Sequence, residues 1–312
     1  MKKTIFKSMF LVPVLALTFV LASCDKDDDD DVQPAPTPQS KTVVDIAVED
    51  NSFSILVEAL QKANLVQALE ADGPFTVFAP TNDAFDQLFT DLGVSGINDL
   101  TAETLTPILL YHVLGIKAES SGLSTGYFET INTNGPDGNA VQIYVTVGNG
   151  VKINGDVNVT TADIMASNGV IHVIDKVMLP PTVVDMAISN PAFSILVEAV
   201  VKANLVDALK AEGPFTVFAP TNDAFQALFT TLGVSGIADL TAAQLSPILL
   251  YHVVNGNIRS DMVSTSMVPT LNGASIDVVA NSNGVTLNGT ANVIIVDVQG
   301  ANGVIHAIDQ VI

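Results

Sequence analysis

The chain has 312 residues, 48% of them hydrophobic, and a formal net charge of −21 at pH 7. So large an excess of acidic residues argues against nucleic acid as a partner, because phosphate backbones attract basic surfaces. Cys24 is the only cysteine, so no disulfide can form within the chain and its domains must be held together by packing.

Residues 1–24 predict a lipoprotein signal peptide. Three lysines precede an apolar run, residues 9–21, which is shorter than the ~20 residues of a membrane-spanning helix. The run ends in Leu-Ala-Ser-Cys, which resembles the lipobox of bacterial lipoproteins. The resemblance implies that Cys24 becomes the acylated first residue of the mature protein and anchors it to the membrane.

Residues 25–40 predict a solvated tether. An acidic run, residues 25–31, is followed by three prolines among polar residues, and such a segment cannot bury apolar area. Calcium binding by the acidic run stays an open alternative to simple solvation. An acidic stretch beside an acylated cysteine also resembles the export signal of Bacteroidetes-type lipoproteins, which implies an outer-membrane lipoprotein exposed at the cell surface.

The rest of the chain is one unit that occurs twice. Residues 42–114 and 182–254 align without gaps and agree at 54 of 73 positions. The offset of 140 residues matches the size of an independent domain rather than that of a solenoid repeat. We therefore predict two domains, 41–180 and 181–312, termed the first and the second copy.

Two blocks are repeated without change. Gly73–Phe85 returns as Gly213–Phe225, and Asn168–His172 returns as Asn302–His306. The first block returns after 140 residues and the second after 134, so the second copy is six residues shorter between its two blocks. We expect this loss to fall in a loop, because the flanking patterns are kept.

The first half of each copy predicts helices around one buried strand. Phe53, Leu56, Val57 and Leu60 form an apolar helical stripe, and in the second copy Asn190 and Pro191 mark its start. Residues 75–79 form a short apolar run rich in β-formers, which predicts a buried strand. A helix follows, capped by threonine with two polar residues in its first turn: Thr81, Asn82 and Asp83, and Thr221, Asn222 and Asp223.

A third helix is predicted to begin at Thr101 and at Thr241, where Gln244 completes a capping box. Pro107 and Pro247 are expected to interrupt it, so that a separate short helix follows each proline. From residue 140 the apolar period becomes two, and Gly148-Asn149-Gly150 predicts a hairpin turn. The closing run, residues 169–177, is apolar on both faces and predicts a central strand.

These motifs resemble those of fasciclin (FAS1) domains. Thr-Val-Phe-Ala-Pro-Thr-Asn-Asp-Ala-Phe is similar to the first box of that family, Asn-Gly-Val-Ile-His to the second, and a Tyr-His pair stands between them in both copies. The resemblance implies an α+β fold, with two tandem FAS1 domains that each have a β-wedge or sandwich core flanked by short helices. It also implies adhesion or matrix contact by a secreted or anchored protein.

The residues offer little for catalysis, and we predict a protein that is not an enzyme and has no cofactor. The four histidines, His112, His172, His252 and His306, lack the spacing of metal ligands, so a core histidine bonded to a backbone carbonyl is favoured over a metal site. Ser124 lies in a Gly-x-Ser-x-Gly pattern, but neither a buried strand before it nor a helix after it is predicted. Residues 132–139 read as a hairpin loop, with calcium as the alternative.

The resemblance suggests ligand contact at two places. The first is the Tyr-His pair, and the second is the Asp-Ile pair before the second box, which becomes Asp-Val in the second copy: Tyr111, His112, Asp163 and Ile164, and Tyr251, His252 and Asp297. The alternative is that the aliphatic neighbours are core residues.

We expect a lipid-anchored surface protein that binds extracellular matrix, polysaccharide or a cell-surface protein. A structural envelope lipoprotein without a dedicated ligand is the alternative, and a hydrolase is the least favoured.

Overall fold

A computed structural model describes residues 40–312, so the predicted signal peptide, Cys24 and nearly all of the predicted tether lie outside the described residues. Each copy folds into short helices packed on a seven-stranded, barrel-like sheet, and the predicted α+β class is confirmed. The helices are α1 (Val43–Glu49), α2 (Ser54–Lys62), α3 (Val66–Glu70), α4 (Asn82–Leu92), α5 (Ala102–Tyr111), α6 (Val183–Ser189), α7 (Ser194–Lys202), α8 (Val206–Lys210), α9 (Asn222–Leu232) and α10 (Ala242–Tyr251). The first-copy strands are β1 (Phe75–Pro80), β2 (Val113–Leu114), β3 (Gly126–Glu129), β4 (Gln142–Gly148), β5 (Gly150–Ile153), β6 (Val157–Ala166) and β7 (Gly169–Ile174). Those of the second copy are β8 (Phe215–Pro220), β9 (Val253–Asn255), β10 (Ser266–Pro269), β11 (Ser275–Asn281), β12 (Gly284–Leu287), β13 (Ala291–Gly300) and β14 (Gly303–Ile308).

The sheet separates two apolar clusters in each copy. In the first copy the strand order is β2-β1-β7-β6-β5-β4-β3, with β1 and β7 parallel and the other pairs antiparallel. Val77 and Ala79 pack against the helices, whereas Phe78 between them faces a second cluster with Ile143 and Ile153. Both faces of β1 and β7 are therefore buried, and the prediction of a central closing strand is confirmed.

Glycine at the start of the closing strand is required by a close approach of two strands. A Cβ atom on Gly169 would lie 2.2 Å from the carbonyl oxygen of Phe75, its partner on β1. Any other residue would push β7 away from β1, which explains a glycine in the repeated block.

The helical predictions are correct in part. Thr81 caps α4 as predicted, since its hydroxyl accepts from the N–H of Ala84, and the capping box of Thr241 with Gln244 is confirmed. Two features differ from the prediction. The first is helix α1, which carries its own capping box at Thr42 and for which the sequence analysis predicts no helix.

The predicted break at Pro107 does not occur, and α5 runs from Ala102 to Tyr111 with this proline inside it. Proline has no N–H, so the carbonyl oxygen of Glu103 lacks its helical hydrogen bond. Glu103 is exposed in the first turn of the helix, where water can donate to this oxygen instead. The same holds for Pro247 inside α10.

The six-residue difference between the copies falls in loops, as predicted. The connection from β3 to β4 takes residues 130–141, whereas the equivalent connection from β10 to β11 takes only residues 270–274. One residue is regained in the next turn, which has two residues between β11 and β12 instead of one. The first copy thus carries a longer loop, termed the docking loop (130–141) because it contacts the second copy.

The two copies pack against each other through this loop and the strands that flank it. The amide of Asn257 lies 3.4 Å from the carbonyl oxygen of Pro136, and the N–H of Gln299 donates to the Gln142 side chain at 3.3 Å. Tyr127 on β3 packs against the core of the second copy, and its hydroxyl accepts from the Asn190 amide at 2.8 Å. Burial raises the pKa of Tyr127 to about 12.

Residues 40–312 form one compact unit without an unpaired buried polar side chain. Every buried side-chain nitrogen or oxygen in this part of the chain has a hydrogen-bond partner within it, and Ser40–Ile312 forms one compact unit. Among these residues no single helix is long and apolar enough to cross a membrane. One pair, Val183–Ser189 with Pro191–Lys202, reaches the required length and composition only jointly and is bent by 107°.

Candidate functional site

The Tyr-His pair lies where α5 ends against the closing segment of the first copy. Tyr111 is fully buried, and its hydroxyl donates to the carbonyl oxygen of Gln142 at 3.0 Å and accepts from Asn154 at 2.9 Å. His112 donates from Nδ1 to the carbonyl oxygen of Ile108 at 2.7 Å, and its Nε2 accepts from the N–H of Met178 at 2.9 Å. These partners assign the neutral tautomer with the proton on Nδ1.

The second copy repeats this arrangement. His252 bonds the carbonyl oxygen of Ile248 at 2.8 Å and the N–H of Ile312 at 3.0 Å, and the hydroxyl of Tyr251 donates to Ser275. Burial lowers the pKa of both His112 and His252 to about 4, outweighing the opposite effect of the carbonyl bonds. All polar atoms of these two rings are therefore used to join each helix end to the segment after the closing strand.

The second pair of histidines lies inside the sheet. The ring of His172 donates from Nε2 to the carbonyl oxygen of Ala118 at 2.9 Å, accepts at Nδ1 from the N–H of Asp163, and stacks on Phe78. His306 makes the equivalent contacts, and burial lowers its pKa. The prediction of core histidines bonded to backbone carbonyls is confirmed. Within residues 40–312 no group of three or more His, Cys, Asp or Glu side chains could hold a metal ion.

The Asp-Ile and Asp-Val pairs lie at a bulge in β6 and in β13. Asp163 has a left-handed backbone with φ of 62°, and its carboxylate accepts from both the N–H and the hydroxyl of Ser120. Asp297 is bonded to Ser260 in the same way. Ile164 packs on the core and Val298 is 1% exposed. These aspartates fix the bulge to the preceding loop, so their carboxylates are engaged within the fold.

The first box joins two helices. The side chain of Asn82 accepts from the N–H of Ile55 at 3.0 Å and donates to the carbonyl oxygen of Asn51 at 2.9 Å, so the start of α4 is fastened to the start of α2. Asn222 makes the same bonds in the second copy, whereas Asp83 and Asp223 are exposed in the first turn. The box positions helices and presents no converging reactive groups.

Ser124 does not stand in a nucleophile elbow. It lies in an exposed loop, after a short 3-10 turn, Ser120–Gly122, and before strand β3. The elbow needs a strand before the serine and a helix after it. The loop at 132–139 connects the antiparallel strands β3 and β4, so its interpretation as a hairpin loop is confirmed.

One group of solvent-exposed apolar residues in the structure is not predicted by the sequence analysis. Ile294, Ile295 and Val296, termed the bulge segment, are 53%, 39% and 46% exposed, directly before Asp297. Two register shifts against β14 flank Ile295, so the usual alternation of faces along a strand is lost here. Comparison of the copies could have found it, since the first copy has exposed Thr160, Thr161 and Ala162 there. Contiguous exposed apolar residues are typical of interaction sites.

Comparison with known proteins agrees with this architecture. A family model described as the fasciclin domain matches residues 51–180 and 191–312. Protein sll1483 of Synechocystis is 48% identical over 150 residues, which are 48% of this chain and 79% of that protein. Human periostin is 30% identical over 253 residues, which cover 80% of this chain but only 29% of periostin.

A solved FAS1 domain pair from the insect cell adhesion molecule fasciclin I is 21% identical, covers 86% of this chain and 95% of its own, and aligns with a TM-score of 0.47. The family model alone spans well over half of the chain, once for each copy. The protein therefore belongs to the fasciclin domain family.

Proposed function

We propose that this protein is a lipid-anchored adhesion or recognition protein of the bacterial outer membrane, exposed at the cell surface. Its ligand is extracellular matrix, polysaccharide or a protein on another cell, and the bulge segment of the second copy is the contact. Membership of the fasciclin family and the predicted lipobox at Cys24 support the location and the general role.

One observation carries the choice of contact surface. In both copies the polar atoms of the Tyr-His pair and the carboxylates of Asp163 and Asp297 are engaged within the fold. A ligand is therefore expected to contact the surface residues around these groups and not the groups themselves. The copies differ in character at the bulge segment, since three exposed branched aliphatics replace Thr-Thr-Ala.

The test exchanges the segment between the copies. The chain from residue 25 onward, with Ile294→Thr, Ile295→Thr and Val296→Ala, is compared with the wild-type chain for binding to immobilised polysaccharides, matrix proteins and whole cells. We expect a loss of affinity of about tenfold or more, because these side chains no longer bury apolar area against the ligand. The melting temperature should not change, since the residues are exposed.

The matched control is the reverse exchange in the first copy, Thr160→Ile, Thr161→Ile and Ala162→Val. Combined with the first variant, it restores binding if the segment itself is recognised. Equal binding by the wild-type and Thr-Thr-Ala chains would refute the contact surface. If the protein instead co-purifies with one stoichiometric envelope partner and binds no ligand, the structural role is correct.

The anchor is tested separately. Cys24→Ser removes the thiol that would be acylated, so the protein should move from the membrane fraction to the soluble fraction, because apolar anchoring depends on buried methylenes. Fractionation followed by immunoblotting measures the distribution. A variant that stays with the membrane would contradict the lipoprotein assignment.

A further inference from the structure

Each copy has an apolar cavity between its helices and the face of its sheet, but the two cavities differ in size. In the first copy the volume is about 20 Å³, whereas in the second it is about 130 Å³. Both are lined by residues of the first, second, third and fifth helices and of the first, second and seventh strands of their copy, including the buried His112 or His252. The enlarged cavity is a specific feature of the second copy.

One substitution in the cavity wall contributes to the difference. Leu60 lines the small cavity, and Val200, one methylene shorter, lines the large one at the equivalent position. The rim of the large cavity carries Ile188 and Val201, which are 55% and 57% exposed. A dry apolar cavity of about 150 Å³ admits a molecule the size of benzene, so 130 Å³ is enough space for the end of an alkyl chain.

The large cavity adjoins a cleft between the copies whose wall mixes charged and apolar residues. This cleft, about 690 Å³, lies beside the linker at Pro180 and Pro181, and Ile188 and Lys210 line both the cavity and the cleft. Lys176 and Asp156 form an ion pair on the opposite wall. Sites at domain interfaces with an apolar interior and a few polar groups are typical of small-molecule binding.

The cationic group at the junction is Lys210, which is paired with Asp185 and keeps free hydrogen-bonding capacity. Lys210 lies 2.7 Å from one oxygen of Asp185, whose other oxygen accepts from Thr182. An ammonium group has three donors, so two remain for a ligand. The first copy has Glu70 at this position, which would repel an anion.

We propose that the second copy binds a medium-chain fatty acid, with its alkyl end in the cavity beside Val200 and its carboxylate in the interdomain cleft at Lys210. Each buried methylene strengthens binding about fourfold, and the carboxylate selects Lys210 over the equivalent glutamate.

The experiment titrates octanoate and 1-octanol into the detergent-free chain from residue 25 onward by calorimetry, with a ¹³C-labelled octanoate spectrum to locate the methyl end. Octanoate should bind one equivalent. Val200→Leu, which restores the residue of the first copy, should weaken octanoate and octanol alike by about tenfold, since it fills the cavity. Lys210→Gln should weaken octanoate by a similar factor and leave octanol unchanged.

Leu60→Val in the first copy is the matched control and should leave octanoate binding unchanged. Thermal melts of all three variants verify folding, and filling a cavity with Val200→Leu is expected to keep or raise the melting temperature. No octanoate binding, or undiminished binding by Val200→Leu, would overturn the proposal. Equal loss of octanol and octanoate in Lys210→Gln would overturn the assignment of the carboxylate.

Discussion

His112 and His252 show how a histidine can be invariant between two copies without being reactive. Each ring donates to one backbone carbonyl and accepts from one backbone N–H, and this requires the neutral form. Protonation would place a second donor against the N–H of Met178 or Ile312. The rings therefore make stability dependent on pH while contributing no chemistry of their own.

The sign of that dependence follows from the pKa of about 4 in the folded state against 6.5 for a free histidine. The stability due to the neutral rings is complete above pH 6.5 and is lost as the pH falls to about 4, because the unfolded chain takes up protons first. For each ring, the free energy of unfolding falls by about 3 kcal/mol over this pH range. In NMR titrations the ring resonances of both histidines should stay in the neutral position down to about pH 4.

A matched pair of variants separates this effect from the titration of carboxylates. With His112→Gln and His252→Gln, the unfolding free energy from urea denaturation should be lower at pH 7 and should fall less steeply between pH 6.5 and 4 than in the wild-type protein. A slope equal to that of the wild-type protein would contradict the role given to the two rings.

At the scale of elements, the second repeated block serves to join helices to the sheet. Asn168 accepts from the N–H of Val43 at the start of α1 and donates to the carbonyl oxygens of Leu69 and Ala71 at the end of α3, at 2.8 to 2.9 Å. Asn302 makes the equivalent three bonds in the second copy. One amide side chain thus positions two helix ends on the closing strand.

Asn168→Ala should destabilise the protein by about 2 to 3 kcal/mol, because three backbone groups lose their partner in a buried site. Asn302→Ala is the natural comparison, and it should cost less because Asn302 is more exposed and water can replace the amide. Urea denaturation monitored by circular dichroism measures both. A smaller loss for Asn168→Ala than for Asn302→Ala would show that burial does not govern the cost.

At the scale of the whole molecule, the interface lies where the copies have diverged. Tyr127 and Gln142, which contact the second copy, correspond to Met267 and Ser275, and the docking loop corresponds to a shorter turn. The second copy therefore does not repeat the docking surface of the first. The packing is therefore heterologous, because each copy contributes a different surface to the interface.

Tyr127→Met with Gln142→Ser gives the first copy the residues of the second at this interface. The wild-type protein should unfold in one calorimetric transition, and the variant in two, because the copies lose the contacts that couple them. The reverse change, Met267→Tyr with Ser275→Gln, has no partner surface and should leave one transition. A single transition at an unchanged temperature in the first variant would mean that these contacts do not couple the copies.

Much of this organisation is contained in the sequence. The duplication, the buried strand at 75–79, the threonine caps and the central closing strand follow from local patterns, since apolar period and capping chemistry act over a few residues. Helix α1 was missed because its seven residues are too few for a clear period, and α5 continues through Pro107 because the orphaned carbonyl is exposed. The sequence also determines that both copies share one fold, and the resemblance of residues 21–24 to a lipobox is the basis for predicting an anchor.

Tertiary structure decides which of these residues remain available to a ligand. The family resemblance makes the Tyr-His pairs and the aspartates of the bulges candidates for ligand contact, yet most of their hydrogen-bond partners come from strands and loops 9 to 66 residues away and engage them within the fold. The bulge segment, the cavity beside Val200 and the cleft at Lys210 likewise arise only when distant segments pack. Local patterns specify elements because their physics is local, whereas exposure and cavities depend on contacts across the whole fold.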